Sequence, residues 1–271
     1  MRRHQLLESM KTILLEDKTV LAMMLFWIII LVVTPGFHYF GGEQGLAAAV
    51  NLGVLSQTML VCGILIRKRG WCLLLRFAPL TLFCVFMAEL IGSKTGNLFG
   101  NYYYTNVLQP QILGVPVLIP LAWMMMLPPS RAISQRIVHA NKKPVKEDIR
   151  AVLSATLAAL SFTAWDLFLD PLMVKWNLWV WDPPGAYFGI PVVNFFGWFA
   201  VSWLVNIVVF PAIRLPDQLI IVYAFTWIMQ TLGLALFWGL YGPALGGFFG
   251  MGVFVFLAMR PIIHESKAVR L

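Results

Sequence analysis

Three aspartates stand where acids are costly. Asp166, Asp170 and Asp182 fall in an aromatic stretch, Trp165 to Trp198, between two long apolar runs, and Glu89 sits near the end of another such run. A charged side chain at the centre of a membrane helix costs about 2.5 to 3.5 kcal/mol on insertion scales, and less near the interface. Asp166 and Asp170 are four residues apart, so on a continuous helix both carboxyls share one face. Crowding disfavours ionising all of these groups together, and a neutral carboxyl beside an ionised one is the equipment of general acid and general base work. Around them Tyr102, Tyr103, Tyr104, Trp176, Trp179, Trp181, Tyr187 and Trp198 offer π faces that attract a cation. Asn194 adds one amide within an apolar run.

Other chemistries find no purchase in the residue pattern. The histidines His4, His38, His139 and His264 are scattered, so no metal-ligand cluster is expected. There is no glycine-rich phosphate loop, no Gly-x-Ser-x-Gly elbow and no paired aspartate-rich motif of the kind that holds magnesium diphosphate. Acids, aromatics and no cofactor motif point to proton-initiated chemistry on an apolar alkene. The structural alternatives stay open residue by residue. Asp166, Glu89 and Asn194 could be polar contacts between packed helices, Asp170 before Pro171 could end a helix at the water interface, and Asp182 before Pro183-Pro184 reads as a turn residue. The aromatics could form an interfacial belt.

These residues need a membrane scaffold to hold them. With 60% hydrophobic and 12% charged residues and a mean hydropathy of +0.79 over 271 residues, the composition is that of a polytopic all-α membrane protein forming a single integral-membrane domain, 1–271. Runs of the length needed to cross a bilayer lie at about 19–37, 46–66, 71–91, 111–127, 150–170, 189–210, 218–240 and 243–259, which predicts eight spans. With both termini inside, the alternate loops on that side collect eighteen of the twenty basic residues and leave only Lys94 and Lys175 outside. The net charge of +8 therefore reads as topology in a cell membrane rather than nucleic-acid binding. No cleaved leader is expected. Residues 1–18 are expected to lie at the inner membrane surface, 128–149 to form a basic cytoplasmic loop and 260–271 a cytoplasmic tail. Cys62, Cys72 and Cys84 lack metal spacing and are expected to be buried thiols.

The two outer loops repeat one another. Glu89, Tyr102 and Tyr104 match Asp166, Trp179 and Trp181 at a shift of 77, and Gly114, Pro116 and Trp123 match Gly189, Pro191 and Trp198 at a shift of 75. A shift of two spans keeps the orientation, so spans 3–4 and 5–6 are expected to form a parallel repeat of helical hairpins around a shared site.

At these residues the sequence resembles the carotenoid 1,2-hydratase family, the membrane enzymes that hydrate the ends of acyclic carotenes and of bisanhydrobacterioruberin. The segments that carry the resemblance are Gly96–Thr105, Leu113–Met126, Ala164–Val174 and Tyr187–Trp198, about a third of the chain. It implies addition of water to the terminal C=C of an acyclic carotenoid end to give a tertiary alcohol, by carbocation chemistry without a cofactor. The partners implied are a membrane-embedded carotenoid, the lipid bilayer and other enzymes of carotenoid biosynthesis. In that reading Asp166 or Glu89 gives the proton, Asp170 directs water, and Tyr102, Tyr104, Trp179, Trp181, Tyr187, Asn194 and Trp198 line the substrate. The second hairpin is also similar to the integral-membrane lycopene cyclases, but Val192, Val193 and Asn194 stand where those carry a glutamate pair, which argues against ring closure. A carotenoid-binding or lipid-transport protein without activity, and a prenyl-transferring enzyme, are the rival readings.

Overall fold

The computed structural model describes residues 17–140, 146–209 and 213–268, with side chains to 259. It is a helical membrane protein: among the described residues there are seven helices, five of them long and apolar enough to cross a bilayer. The first, α1 (Lys18–Arg69), has 52 residues, about 78 Å if straight and far more than one crossing needs. It is not straight. Gly42 holds φ 56° and ψ −139°, a conformation closed to most side chains, and there the helix folds back on itself. The cap at its start, Asp17, which accepts bonds from the Thr19 and Val20 amides, pairs with Arg67 in its last turn. Met23 of the first arm lies so close to Gly63 of the second that a Cβ there would require the methionine side chain to move.

The remaining helices are α2 (Trp71–Thr95), α3 (Leu118–Ala140), α4 (Glu147–Lys175), α5 (Val192–Val208), α6 (Gln218–Leu236) and α7 (Tyr241–Ala268). Helices α3 and α4 form the centre, with α1, α2, α5, α6 and α7 packed around them. The outward faces of α1, α5 and α7 carry exposed Phe26, Ile29, Val32, Phe196, Leu204, Phe249 and Phe256, as expected where lipid replaces water.

Strand β1 (Tyr102–Tyr104), from the loop after α2, pairs antiparallel with β4 (Trp179–Trp181), from the loop after α4, with Tyr102 opposite Trp181 and Tyr104 opposite Trp179. The Thr105 amide bonds the Leu178 carbonyl, the Asp182 amide bonds the Asn101 carbonyl, and the Trp181 indole donates to the Phe99 carbonyl, so the two loops form one cap over the helix ends. Before α3, a two-residue hairpin joins β2 (Gln111–Ile112) to β3 (Val115–Pro116). Leu113 and Gly114 there hold φ of 53° and 88°, and Phe188 and Gly189 hold 51° and 94° beside the Tyr187–Ile190 bridge.

Four expectations change. Residues 128–140, read as loop, continue α3 through Pro128 and Pro129. Burial overrides the two prolines: Met126 to Gln135 are packed against neighbouring helices, and Gln135 reaches the Ile213 carbonyl and the Leu215 amide. Helix α4 likewise runs through Pro171 to Lys175 instead of ending at Asp170. Pro171 has no N–H for the Leu167 carbonyl, and the Tyr187 hydroxyl donates to that oxygen at 3.1 Å in its place. Cys72 is exposed, and all three cysteines are free. Span 4, expected from 111, begins as a helix only at Leu118, because 111–116 is the hairpin. The inner-surface segment lies mostly outside the described residues, as does the 141–145 stretch of the basic loop. The expected tail is helical in backbone to Ala268.

Candidate functional site

The site forms where α2 and α4 end beneath the β1–β4 cap. Glu89, two turns before the end of α2, is buried at 3% exposure. Tyr102 and Tyr104 alternate with exposed Tyr103 along β1, so both rings point the same way, and both hydroxyls donate to Glu89 Oε2, at 2.6 and 2.7 Å. Burial, and after it the adjacent Glu89 carboxylate, pushes both phenols well above the ordinary tyrosine range. They therefore remain O–H donors.

The second acidic group stands on α4. Asp166 and Asp170, one turn apart, are 0% and 1% exposed. Asn194, in the first turn of α5 after Pro191, directs its amide nitrogen at both: to Asp166 Oδ2 at 2.8 Å and to Asp170 Oδ2 at 2.5 Å. An amide NH₂ has two hydrogens, one for each carboxyl. The Trp179 indole donates to Asp170 Oδ1 at 3.2 Å, whereas Asp166 Oδ1 is buried with no hydrogen-bond partner among the described residues.

Aromatic rings link the two groups. Tyr104 meets Trp179 edge-on at 5.8 Å, and Tyr102 lies 5.7 Å from Trp181. Below them Trp123 stacks on Trp198 at 4.8 Å, with Phe162 and Trp165 against the pair. A cavity of about 420 Å³ opens onto this ensemble, a volume within the range of small-molecule sites. Glu89, Asp170, Asn194, Tyr102, Tyr104, Trp179, Trp181 and Trp198 all line it. Asp166 and Tyr187 do not: Asp166 is set behind Asn194 and Asp170, and Tyr187 packs on Phe195 with its hydroxyl on the Leu167 carbonyl. Asp182 lies in an exposed turn before Pro183. Among the described residues no group of acids, cysteines and histidines could hold a metal ion.

The opposite wall comes from parts of the chain not singled out in the sequence. Ala49, Gly53 and Gln57 of α1 and Met229, Gln230 and Gly233 of α6 line the cavity, as does Trp238, whose ring lies 4.8 Å from that of Trp176. A signal for two of these was present, since Gln57 and Gln230 are amides inside apolar spans. Exposed Val32, Leu232, Leu236 and Phe237 also belong to the lining, so the cavity reaches the lipid-facing surface between the first arm of α1 and α6.

In chemical terms, the arrangement presents one carboxyl group held by two phenols and another tied to a second through an amide, the first two lining an aromatic chamber. No solved structure matches the chain. The bisanhydrobacterioruberin hydratase of Haloarcula japonica is 30% identical over 111 residues, covering 41% of this chain and 36% of that protein, so the matched stretch is little more than a third of the relative's own length. The family model described as carotenoid biosynthesis protein matches residues 48–255, a range that contains Glu89, Asp166, Asp170, Asn194 and the aromatic residues around them. The chain therefore belongs to the carotenoid biosynthesis protein family and is related to the carotenoid hydratases.

Proposed function

We propose that this protein adds water to the terminal C=C of an acyclic carotenoid end group, giving a tertiary alcohol. The observation that carries the reading is the pairing, in one aromatic chamber, of Asp170 tied through Asn194 to Asp166 with Glu89 held by Tyr102 and Tyr104. Two carboxyls bridged by one amide nitrogen repel if both are ionised, so the pair shares a proton, and Asp170 is the member in contact with the cavity. Asp170 gives that proton to the less substituted alkene carbon. The C=C electron pair forms the new C–H bond and leaves a tertiary cation, held by the faces of Trp179, Trp181 and Trp198. Glu89, whose charge the two phenols stabilise, takes a proton from water as the water oxygen bonds to the cation. One water is added in total, and proton return from Glu89 to the Asp166–Asp170 pair restores the site. Asp166 then acts through Asn194 and Asp170 rather than on substrate.

The substrate enters sideways from lipid, between the first arm of α1 and α6, where the lining includes exposed apolar residues. Eight crossings belong to the same reading: the two arms of α1 and the six helices after it, with both termini cytoplasmic. The parallel repeat is supported by the self-pairing of equivalent residues. Tyr102–Tyr104 pairs with Trp179–Trp181, Trp123 stacks on Trp198, and the positive φ values at 113–114 recur at 188–189. In this reading a two-fold axis through the cap relates Glu89 to the α4 acids and accounts for their meeting in one chamber.

The test is the pigment made in a host that accumulates acyclic carotene. Wild type is expected to add one water per reacted end, and Asp170→Asn to abolish the alcohol with the protein still present in the membrane. A cyclic product of unchanged mass would instead favour a cyclase.

A further inference from the structure

The cavity has a second polar point that the proposed proton transfer leaves unused. Gln57 on the second arm of α1 is 3% exposed and lines the cavity, with its amide nitrogen on Thr226 Oγ1 at 3.3 Å and Met126 Sδ at 3.2 Å. Gln230, one turn along α6 from Thr226, also lines it, and its buried Oε1 has no hydrogen-bond partner among the described residues. The wall around them, Ala49, Gly53 and Met229, is apolar. A buried amide oxygen without a partner costs about 1 to 3 kcal/mol, which is an odd residue to keep in a chamber for a hydrocarbon. Rotating the amide does not remove the problem, because its NH₂ would then face the same apolar wall.

Gln230 is six residues from the end of α6 at Leu236, and Asp170 five from the end of α4 at Lys175, while Gln57 is buried in the middle of the second arm of α1. The amides thus stand on the α1–α6 wall and the acids on the α2–α4–α5 wall of the same cavity. We infer that Gln230, with Gln57 on the same wall, is a binding site for an O–H donor within the cavity, separate from the carboxyl pair. Two sources carry that chemistry: a hydroxyl already present on the polyene, or the water to be added. The inference deepens the proposed hydration and takes its substrate from it.

The test uses the full-length protein in detergent and two acyclic polyenes with the same terminal alkene, one with a hydroxyl elsewhere and one without. Both binding, by the polyene's visible absorption on the protein, and product formation are measured for wild type and Gln230→Met, a change that keeps length and fills the same space. If the substrate supplies the hydroxyl, the variant loses roughly three- to tenfold in affinity for the hydroxylated polyene alone. If water is the donor, product formation falls by a similar factor for both polyenes while their affinities hold. Unchanged affinity and unchanged turnover for both would overturn the inference. Should neither polyene react with wild type, the hydration reading fails, but the binding arm still decides the subsite, and Gln57→Met serves as the second variant if Gln230→Met does not fold.

Discussion

Glu89 accepts two phenolic hydroxyls and Asp170 accepts an indole and an amide, and the proposed reaction uses these two carboxyls as base and acid. Replacing Asp170 by Asn removes the proton donor and keeps the shape, so turnover should fall by about 10²- to 10⁴-fold with folded protein retained. Tyr104→Phe removes one of two bonds to Glu89 and should cost about tenfold in turnover, more than it costs in thermal stability. Both are read by assaying the purified variants beside their melting curves. The acids were visible in the sequence as charges in apolar runs, and the i, i+4 spacing of Asp166 and Asp170 put them on one face. What spacing alone does not reveal is which of the two meets the cavity. That depends on where Asn194 enters from α5, a contact made 24 residues away.

At the scale of the element, the break in α4 that Pro171 should cause is absent because a side chain from the next loop replaces the missing N–H. Tyr187→Phe leaves the Leu167 carbonyl unpaired and should lower stability by about 1 kcal/mol. Pro171→Ala restores an N–H for that carbonyl, so in the double variant the loss from Tyr187→Phe should largely vanish, and a double-mutant cycle of melting temperatures measures the coupling. This is also why the helix end was illegible: proline propensity is local, whereas the compensating hydroxyl comes from 20 residues on. The same limit applied at Pro128 and Pro129, where burial of the flanking residues carries α3 onward. By contrast the aromatic-x-aromatic pairs, Tyr102 with Tyr104 and Trp179 with Trp181, were legible as repeat positions, and they lie opposite one another in the β1–β4 pair.

For the whole molecule, hydropathy and charge patterning made a helical membrane protein plain from the sequence, because twenty apolar residues in a row have few other fates. The fold-back of α1 at Gly42 was legible only as a gap between two apolar runs. The proposed orientation places Cys72, exposed next to the basic cluster at Arg67–Arg69, on the cytoplasmic side. A membrane-impermeant thiol reagent should label it in inverted vesicles and not in intact cells; labelling in intact cells would reverse the topology. The wall formed by α1 and α6 escaped the sequence reading because its contribution is mostly shape, small and apolar residues such as Ala49, Gly53 and Gly233 that make room. In the proposed reaction, room for an apolar end group that is open to lipid is what lets two carboxyls direct one water onto one cation. The most direct test of that claim is the mass of the pigment recovered from an acyclic-carotene host expressing the wild-type protein or Asp170→Asn. Hydration predicts a gain of one water per reacted end with wild type and none with the variant; a ring isomer of unchanged mass, or unaltered pigment beside folded wild-type protein, would contradict it.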